Sequence, residues 1–329
     1  MNCIEKEYKS IVTRLGLSLL FFLFLFNLLS GGAQTISLIL REFNSESDTV
    51  YILTDLMESA AYLVSFILPV PFFYFISQNK KKHPMELSLI MPTPYPAIKL
   101  AAIVVAGMAV IIPIAYLNSL LFPIPYDTTS ELFSFDFSKP YKVVLCFIST
   151  AIVPAFAEEL LFRGLIISNI KPYGKNSAVL ISAVAFGLMH QNPAQILYAM
   201  AAGIVFGLIY VETDSIWCCI VLHFMNNLTS VIQNYLLYIL NEEAANTILF
   251  FVDITVIAIG SICAIALLNS LKKKRGDKNI GVYGSFEAEA QTEARINTLK
   301  NGFSTPAFML FLILCSVQCV IDGVMLWFM

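Results

Sequence analysis

Long apolar runs recur along the whole chain, and polar residues collect in the short segments between them. A helix needs about 20 mostly apolar residues to cross the hydrocarbon core of a bilayer. Nine runs approach this length, the fifth and sixth being the shortest: 15–40, 54–77, 97–121, 142–168, 176–190, 194–211, 215–240, 247–270 and 306–328. The pattern predicts an all-α, polytopic transmembrane helix bundle of about nine spans.

The composition supports a membrane protein. Of 329 residues, 58% are hydrophobic and 13% are charged, against about 25% charged residues in soluble domains. The mean hydropathy is +0.76. The expected surroundings are a lipid bilayer, and a formal net charge of −3 gives no reason to expect a nucleic-acid partner.

The two ends of the chain need separate interpretation. The first thirty residues resemble a signal peptide, but apolar character resumes at 36–40, so we expect an uncleaved first helix. The one long polar stretch, 271–305, is predicted to be a partly helical cytoplasmic linker to an additional C-terminal helix at 306–328.

The seven cysteines do not indicate a disulfide framework. Their number is odd, and six of them lie inside apolar runs. We expect them to pack as small apolar side chains in membrane helices.

Basic residues alternate with acidic residues from one loop to the next. The basic clusters are Lys6, Lys9 and Arg14; Lys80, Lys81 and Lys82; Lys171 and Lys175; and Lys272, Lys273, Lys274 and Arg275. The intervening loops carry Glu46 and Asp48, Asp127 and Glu131, and Glu242 and Glu243. Because basic loops stay in the cytoplasm, a multi-pass protein of the cell membrane is predicted, with its N-terminus inside and its C-terminus outside.

The fourth apolar run contains two adjacent carboxylates, Glu158 and Glu159. Ionisable side chains are costly inside a membrane and indicate a functional site by default. On a helix the two point about 100° apart. Glu159 can be neutralised by Arg163 one turn later, whereas Glu158 has no such local partner. Pro154, four residues before Glu158, frees a backbone carbonyl.

Two of the three histidines, His190 and His223, also lie in apolar runs, while His83 is predicted to be a solvated loop residue. Asn227 follows His223 by one turn, on the same face. Glu158, His190 and Asn227 each lie about 20 Å from the predicted cytoplasmic end of their helix, and His223 about 14 Å. Three helices therefore bring polar residues to a similar depth.

Together these residues resemble the three motifs of the CPBP family, which contains the type II CAAX prenyl endopeptidases and the bacterial Abi proteins. The motifs are Glu158-Glu159-x-x-x-Arg163, Phe186-x-x-x-His190 and His223-x-x-x-Asn227. The resemblance covers about 140–240, which would be the catalytic core within one membrane domain, 1–329.

The resemblance implies an intramembrane endopeptidase that cleaves a peptide or a membrane protein. Glu158 would activate water, His190 would assist it, and His223 and Asn227 would support the oxyanion. These residue types suit the reaction, because amide hydrolysis needs a general base and donors to the developing oxyanion. Water is expected to enter from the cytoplasmic half, past Arg163, Lys171 and Lys175.

The cofactor stays open between none and zinc. Two histidines and a glutamate form a common catalytic zinc set, so Glu158, His190 and His223 would be the ligands if zinc is present. The usual His-Glu-x-x-His zinc helix does not occur in the sequence.

Two other classes of function share some of these features. A proton-coupled transporter also places acids and histidines in membrane helices, but it predicts paired inverted halves, which the sequence does not show. A catalytically silent scaffold or immunity protein would be expected to have lost one of the four polar residues, and all four are present.

The predicted topology can be tested with reporter fusions or cysteine labelling. Lys81 and Lys273 should be reached from the cytoplasm, and Asp127 and Met329 from outside, because of the charge alternation. Labelling of Lys81 from outside would show that the predicted number of spans in the first half is wrong.

Overall fold

The computed structural model describes residues 3–43, 47–77, 97–122, 137–277 and 297–328. These residues form ten helices and no strand. The helices are α1 (Cys3–Phe43), α2 (Asp48–Phe75), α3 (Ala97–Leu121), α4 (Pro140–Tyr173), α5 (Lys175–Met189), α6 (Pro193–Thr213), α7 (Ile216–Ile239), α8 (Glu242–Asp277), α9 (Thr298–Phe303) and α10 (Pro306–Phe328).

Within the described residues, eight of these helices are long and apolar enough to cross a membrane. The other two are α9, of six residues, and the apolar α5, of 15 residues. Each of the nine predicted runs corresponds to one helix, and the predicted all-α polytopic bundle is confirmed. The orientation of the termini and the division into core and linker stay predictions.

Several predicted features lie outside the described residues. They are Glu46, the Lys80–Lys82 cluster, His83, Asp127, Glu131, Met329 and 278–296 of the linker. The beginning of the predicted linker continues α8 to Asp277, and α9 lies near its end.

Helix α4 occupies the centre of the bundle. It packs against α1, α2, α5, α6 and α7, while α3 packs against α6, α7 and α8. The side chains from Leu161 to Ile167 are all buried. A polar side chain on this part of α4 must therefore find its partners within the protein.

Helix α4 is not regular. Two π-helical segments, Phe147–Ile152 and Leu160–Ile167, flank the α-helical turns that carry Glu158 and Glu159. A π segment places more residues in each turn and often occurs at functional sites. The two segments thus change which side of α4 each carboxylate presents to its neighbours.

The C-terminal helix is packed into the bundle. A Cβ atom built on Gly16 of α1 would lie 2.8 Å from the backbone carbonyl carbon of Ala307 at the start of α10. Phe308, Phe311 and Cys315 of α10 are fully buried. Close approach of two helix backbones at a small residue is typical of membrane helix pairs.

The contact at Gly16 predicts an effect on stability. Gly16→Ala should lower the free energy of unfolding by roughly 1–3 kcal/mol, because the new methyl group meets backbone that cannot move aside alone. Gly32→Ala, in the same helix, is the matched control, because its Cβ would meet nothing within 4 Å. Equal midpoints for the two purified variants in thermal unfolding in detergent would contradict the predicted packing.

Candidate active site

The buried ion pair between Glu159 and Arg163 lies at the centre of the site. Both side chains are 0% exposed, and Arg163 Nη1 donates to Glu159 Oε1 over 2.8 Å. Arg163 Nη2 donates to the carbonyl oxygen of Gly203 over 3.1 Å. The guanidinium also lies over the rings of Phe186 and Phe206, at 4.7 and 5.1 Å from their centroids. Pairing, hydrogen bonding and cation–π contact together hold this charge away from water.

Glu158 lies beside this pair and is 4% exposed, but its two oxygens have different surroundings. Oε1 accepts a hydrogen bond of 2.5 Å from the hydroxyl of Tyr62 on α2. Oε2 is buried and has no hydrogen-bond partner among the described residues. His223 Nε2 lies 3.9 Å from Oε2.

His223 connects the two carboxylates. Its Nδ1 lies 2.8 Å from Glu159 Oε1, and because an ionised carboxylate only accepts, Nδ1 carries the hydrogen. The ring stacks on Phe206 at 5.1 Å, with an angle of 29° between the planes. The 3.9 Å from Nε2 to Glu158 Oε2 is too long for a direct hydrogen bond, and it is short enough for both atoms to bind one water molecule.

His190 follows the last residue of α5 and is half-buried. Its Nδ1 lies 2.8 Å from the carbonyl oxygen of Phe186, so Nδ1 carries the hydrogen and Nε2 of the neutral ring is an acceptor. The Phe186 ring contacts His190 at 5.1 Å and His223 at 5.9 Å between centroids. The two histidines are thus brought together around Phe186.

Asn227 contacts α4 two turns before Glu158. Its Nδ2 donates to the carbonyl oxygen of Thr150 over 3.2 Å. Pro154 follows Thr150 by four residues and has no N–H to donate to that carbonyl. Asn227 supplies a donor in its place, and its Oδ1 accepts from Asn226 over 3.3 Å. One amide hydrogen of Asn227 is left for another acceptor.

The candidate zinc ligands Glu158, His190 and His223 do not form one ligand set. No group of three or more His, Cys, Asp or Glu side chains among the described residues is arranged to hold a metal ion. Tyr62 binds one oxygen of Glu158, and Phe186 contacts both histidine rings. The described arrangement does not fit a three-ligand zinc centre.

The expected entry of water past Arg163, Lys171 and Lys175 stays a prediction. Arg163 is 0% exposed, and its neighbours Phe162 and Leu165 are fully buried too. Lys171, farther along α4, forms an ion pair with Asp214. Side chains are thus packed closely around Arg163.

Two contacts of the site were missed by sequence reasoning. Tyr62 is one of three tyrosines in α2, and no spacing connects it to Glu158. The second is the hydrogen bond of 2.5 Å from the Tyr198 hydroxyl to Asn226 Oδ1, which joins α6 to α7. The sequence gives one indication of Asn226, namely its position next to Asn227.

Comparisons with known proteins agree with the motif resemblance. Residues 140–229 match the sequence model of a family described as "Type II CAAX prenyl endopeptidase Rce1-like". The Bacillus subtilis (strain 168) protein named "Putative membrane peptidase YdiL" is 36% identical over 94 residues, which are 28% of this chain and 38% of that protein. No solved structure matches the chain. The chain spans well under half of the length of the Bacillus subtilis protein. The predicted resemblance to the CPBP family is confirmed.

The buried ion pair predicts a large loss of stability when one partner is removed. Arg163→Ala should lower the free energy of unfolding by about 3–5 kcal/mol, because Glu159 would be left as an uncompensated buried charge. The control is Lys9→Ala. Lys9 and Glu5 form a pair with the same i,i+4 spacing near the surface, at 3.2 Å, and its loss should lower the free energy of unfolding by about 0.2–1 kcal/mol. Similar unfolding midpoints for both variants in detergent would show that the Arg163 pair is not a major stabilising contact.

Proposed function

We propose that this chain, with its CPBP-family segment at 140–229, is an intramembrane endopeptidase that resembles CAAX proteases. It would hydrolyse a peptide bond in a membrane-associated protein or peptide. The observation that carries the proposal is Glu158 Oε2, a buried carboxylate oxygen that has no hydrogen-bond partner among the described residues and lies 3.9 Å from His223 Nε2.

Glu158 is the proposed general base. Water bound between its Oε2 and His223 Nε2 would attack the carbonyl carbon of the scissile bond as Glu158 accepts a proton. The same carboxyl group can then give that proton to the departing amine, so that the enzyme ends the cycle unchanged. His190, whose Nε2 is an acceptor, assists by orienting the water. No step of this mechanism uses a bound metal.

His223 and Asn227 are the proposed donors to the oxyanion. An imidazolium donates from both of its ring nitrogens. In that form Nδ1–H stays on Glu159 and Nε2–H can donate to the developing oxyanion. The remaining amide hydrogen of Asn227 is the second donor.

Glu159 and Arg163 have a supporting role in this proposal. Glu159 accepts from both Arg163 and His223 through its Oε1, and this holds the imidazole in one tautomer and one orientation. A partner that fixes the tautomer of a catalytic histidine in this way is common in hydrolases.

Replacement of Glu158 tests the proposal. Glu158→Gln should reduce cleavage roughly 100- to 10,000-fold, because a general base contributes about that much, and a peptide that the wild-type protein cuts should accumulate. Mass spectrometry of peptide termini in membranes from cells expressing either protein would detect the difference. Glu242→Gln, at an exposed glutamate, is the control and should match the wild type.

Cleavage by purified Glu158→Gln protein at the wild-type rate would refute the peptidase proposal. A loss of cleavage counts in favour only if the variant is inserted and unfolds at the same temperature as the wild type.

A further inference from the structure

Tyr62 joins a helix outside the family-matched segment to the proposed general base. It lies on α2, and its hydroxyl donates to Glu158 Oε1 over 2.5 Å. We propose that Tyr62 is a positioning residue of the active site, one that holds Oε1 and thereby leaves Oε2 for the reacting water. This inference rests on the proposed function of Glu158.

The direction of the hydrogen bond follows from the chemistry of the two groups. A carboxylate only accepts, so the phenolic O–H donates. Hydrogen bonds from a hydroxyl to a carboxylate are short, about 2.5–2.7 Å, and roughly twice as strong as neutral ones. Tyr62 therefore compensates part of the cost of burying Glu158 and restricts rotation of its carboxyl group about the last side-chain torsion.

The Tyr62 ring is itself held in place. It stacks on Phe66 of the same helix at 4.7 Å, with 29° between the planes, and meets Phe26 of α1 edge-on at 5.9 Å. Phe26 begins the π-helical segment of α1, and Phe66 packs on Phe22 at 4.5 Å. Aromatic contacts of this kind favour defined ring orientations. The hydroxyl is thus delivered to Glu158 by a rigid cluster of α1 and α2.

This arrangement gives the two oxygens of the Glu158 carboxyl group different roles. Oε1 is bound to Tyr62, and Oε2 faces His223 Nε2 at 3.9 Å. If Oε1 were free to rotate, either oxygen could turn toward the substrate, and the geometry for proton transfer would be populated for less of the time. Part of the active site therefore comes from the N-terminal helices, outside 140–229.

Tyr62→Phe is the direct test, because it keeps the stacked ring and removes only the hydroxyl. The substrate is the peptide that accumulates in Glu158→Gln membranes. We expect kcat to fall roughly 10- to 100-fold, the range set by one hydrogen bond to a charged group. KM should stay within about twofold of the wild-type value, because positioning of a base affects the chemical step more than substrate binding.

A matched control is available in the same protein. The Tyr116 hydroxyl also donates to a carboxylate, Asp253, over 2.8 Å, but at an exposed contact between α3 and α8. Tyr116→Phe should leave kcat and KM unchanged. A kcat of Tyr62→Phe equal to that of the wild type would overturn the inference. A lowered kcat accompanied by a lower unfolding midpoint and a raised KM would also overturn it, because it would indicate a general structural effect.

A second variant separates positioning from a general structural effect. In Glu158→Asp the shorter side chain withdraws the carboxylate from Tyr62, so adding Tyr62→Phe should cost much less than it does in the wild type. Additive losses would overturn the inference. If Glu158→Gln is inactive and Tyr62→Phe cleaves at the wild-type rate, only the role of Tyr62 is refuted. If Glu158→Gln is active, the proposed function itself is refuted.

Discussion

The burial of two adjacent carboxylates within one membrane helix is the constraint on which the rest of this structure depends. Glu158 and Glu159 are at most 4% exposed, and a buried charge without partners costs several kcal/mol. Arg163 and His223 both bind Glu159. Tyr62 binds one oxygen of Glu158. The partners come from α2, α4 and α7, so the packing of these helices is tied to the charges that they enclose.

Aromatic residues line the buried ion pair of the site. Phe186 and Phe206 both contact the Arg163 guanidinium and also contact the His223 ring. A low-dielectric wall strengthens each ion pair and hydrogen bond that it encloses. The same rings enclose Arg163, so its burial and the strength of its ion pair have one physical cause.

Asn227 illustrates how one residue can connect fold and chemistry. Pro154 removes the helical donor for the Thr150 carbonyl, and Asn227 of α7 donates to that carbonyl instead. A proline that breaks the hydrogen-bond pattern of a membrane helix is tolerated when a neighbouring helix supplies the missing partner. In the proposed mechanism, the contact also fixes the position of an amide whose second hydrogen supports the oxyanion.

The sequence alone determined the features that depend on local spacing. The nine helical runs follow from apolar stretches of membrane length, and the Glu159–Arg163 pair follows from its i,i+4 separation. Only the tertiary structure decided the contacts between distant positions. Tyr62 meets Glu158 across 96 residues, and Asn227 meets Thr150 across 77. No periodicity encodes such pairs, because they depend on how α2, α4 and α7 pack. The same reason explains why the three candidate zinc ligands do not form one ligand set among the described residues. Depth along each helix is readable from the sequence, but the direction in which each side chain points across the bundle is set by packing.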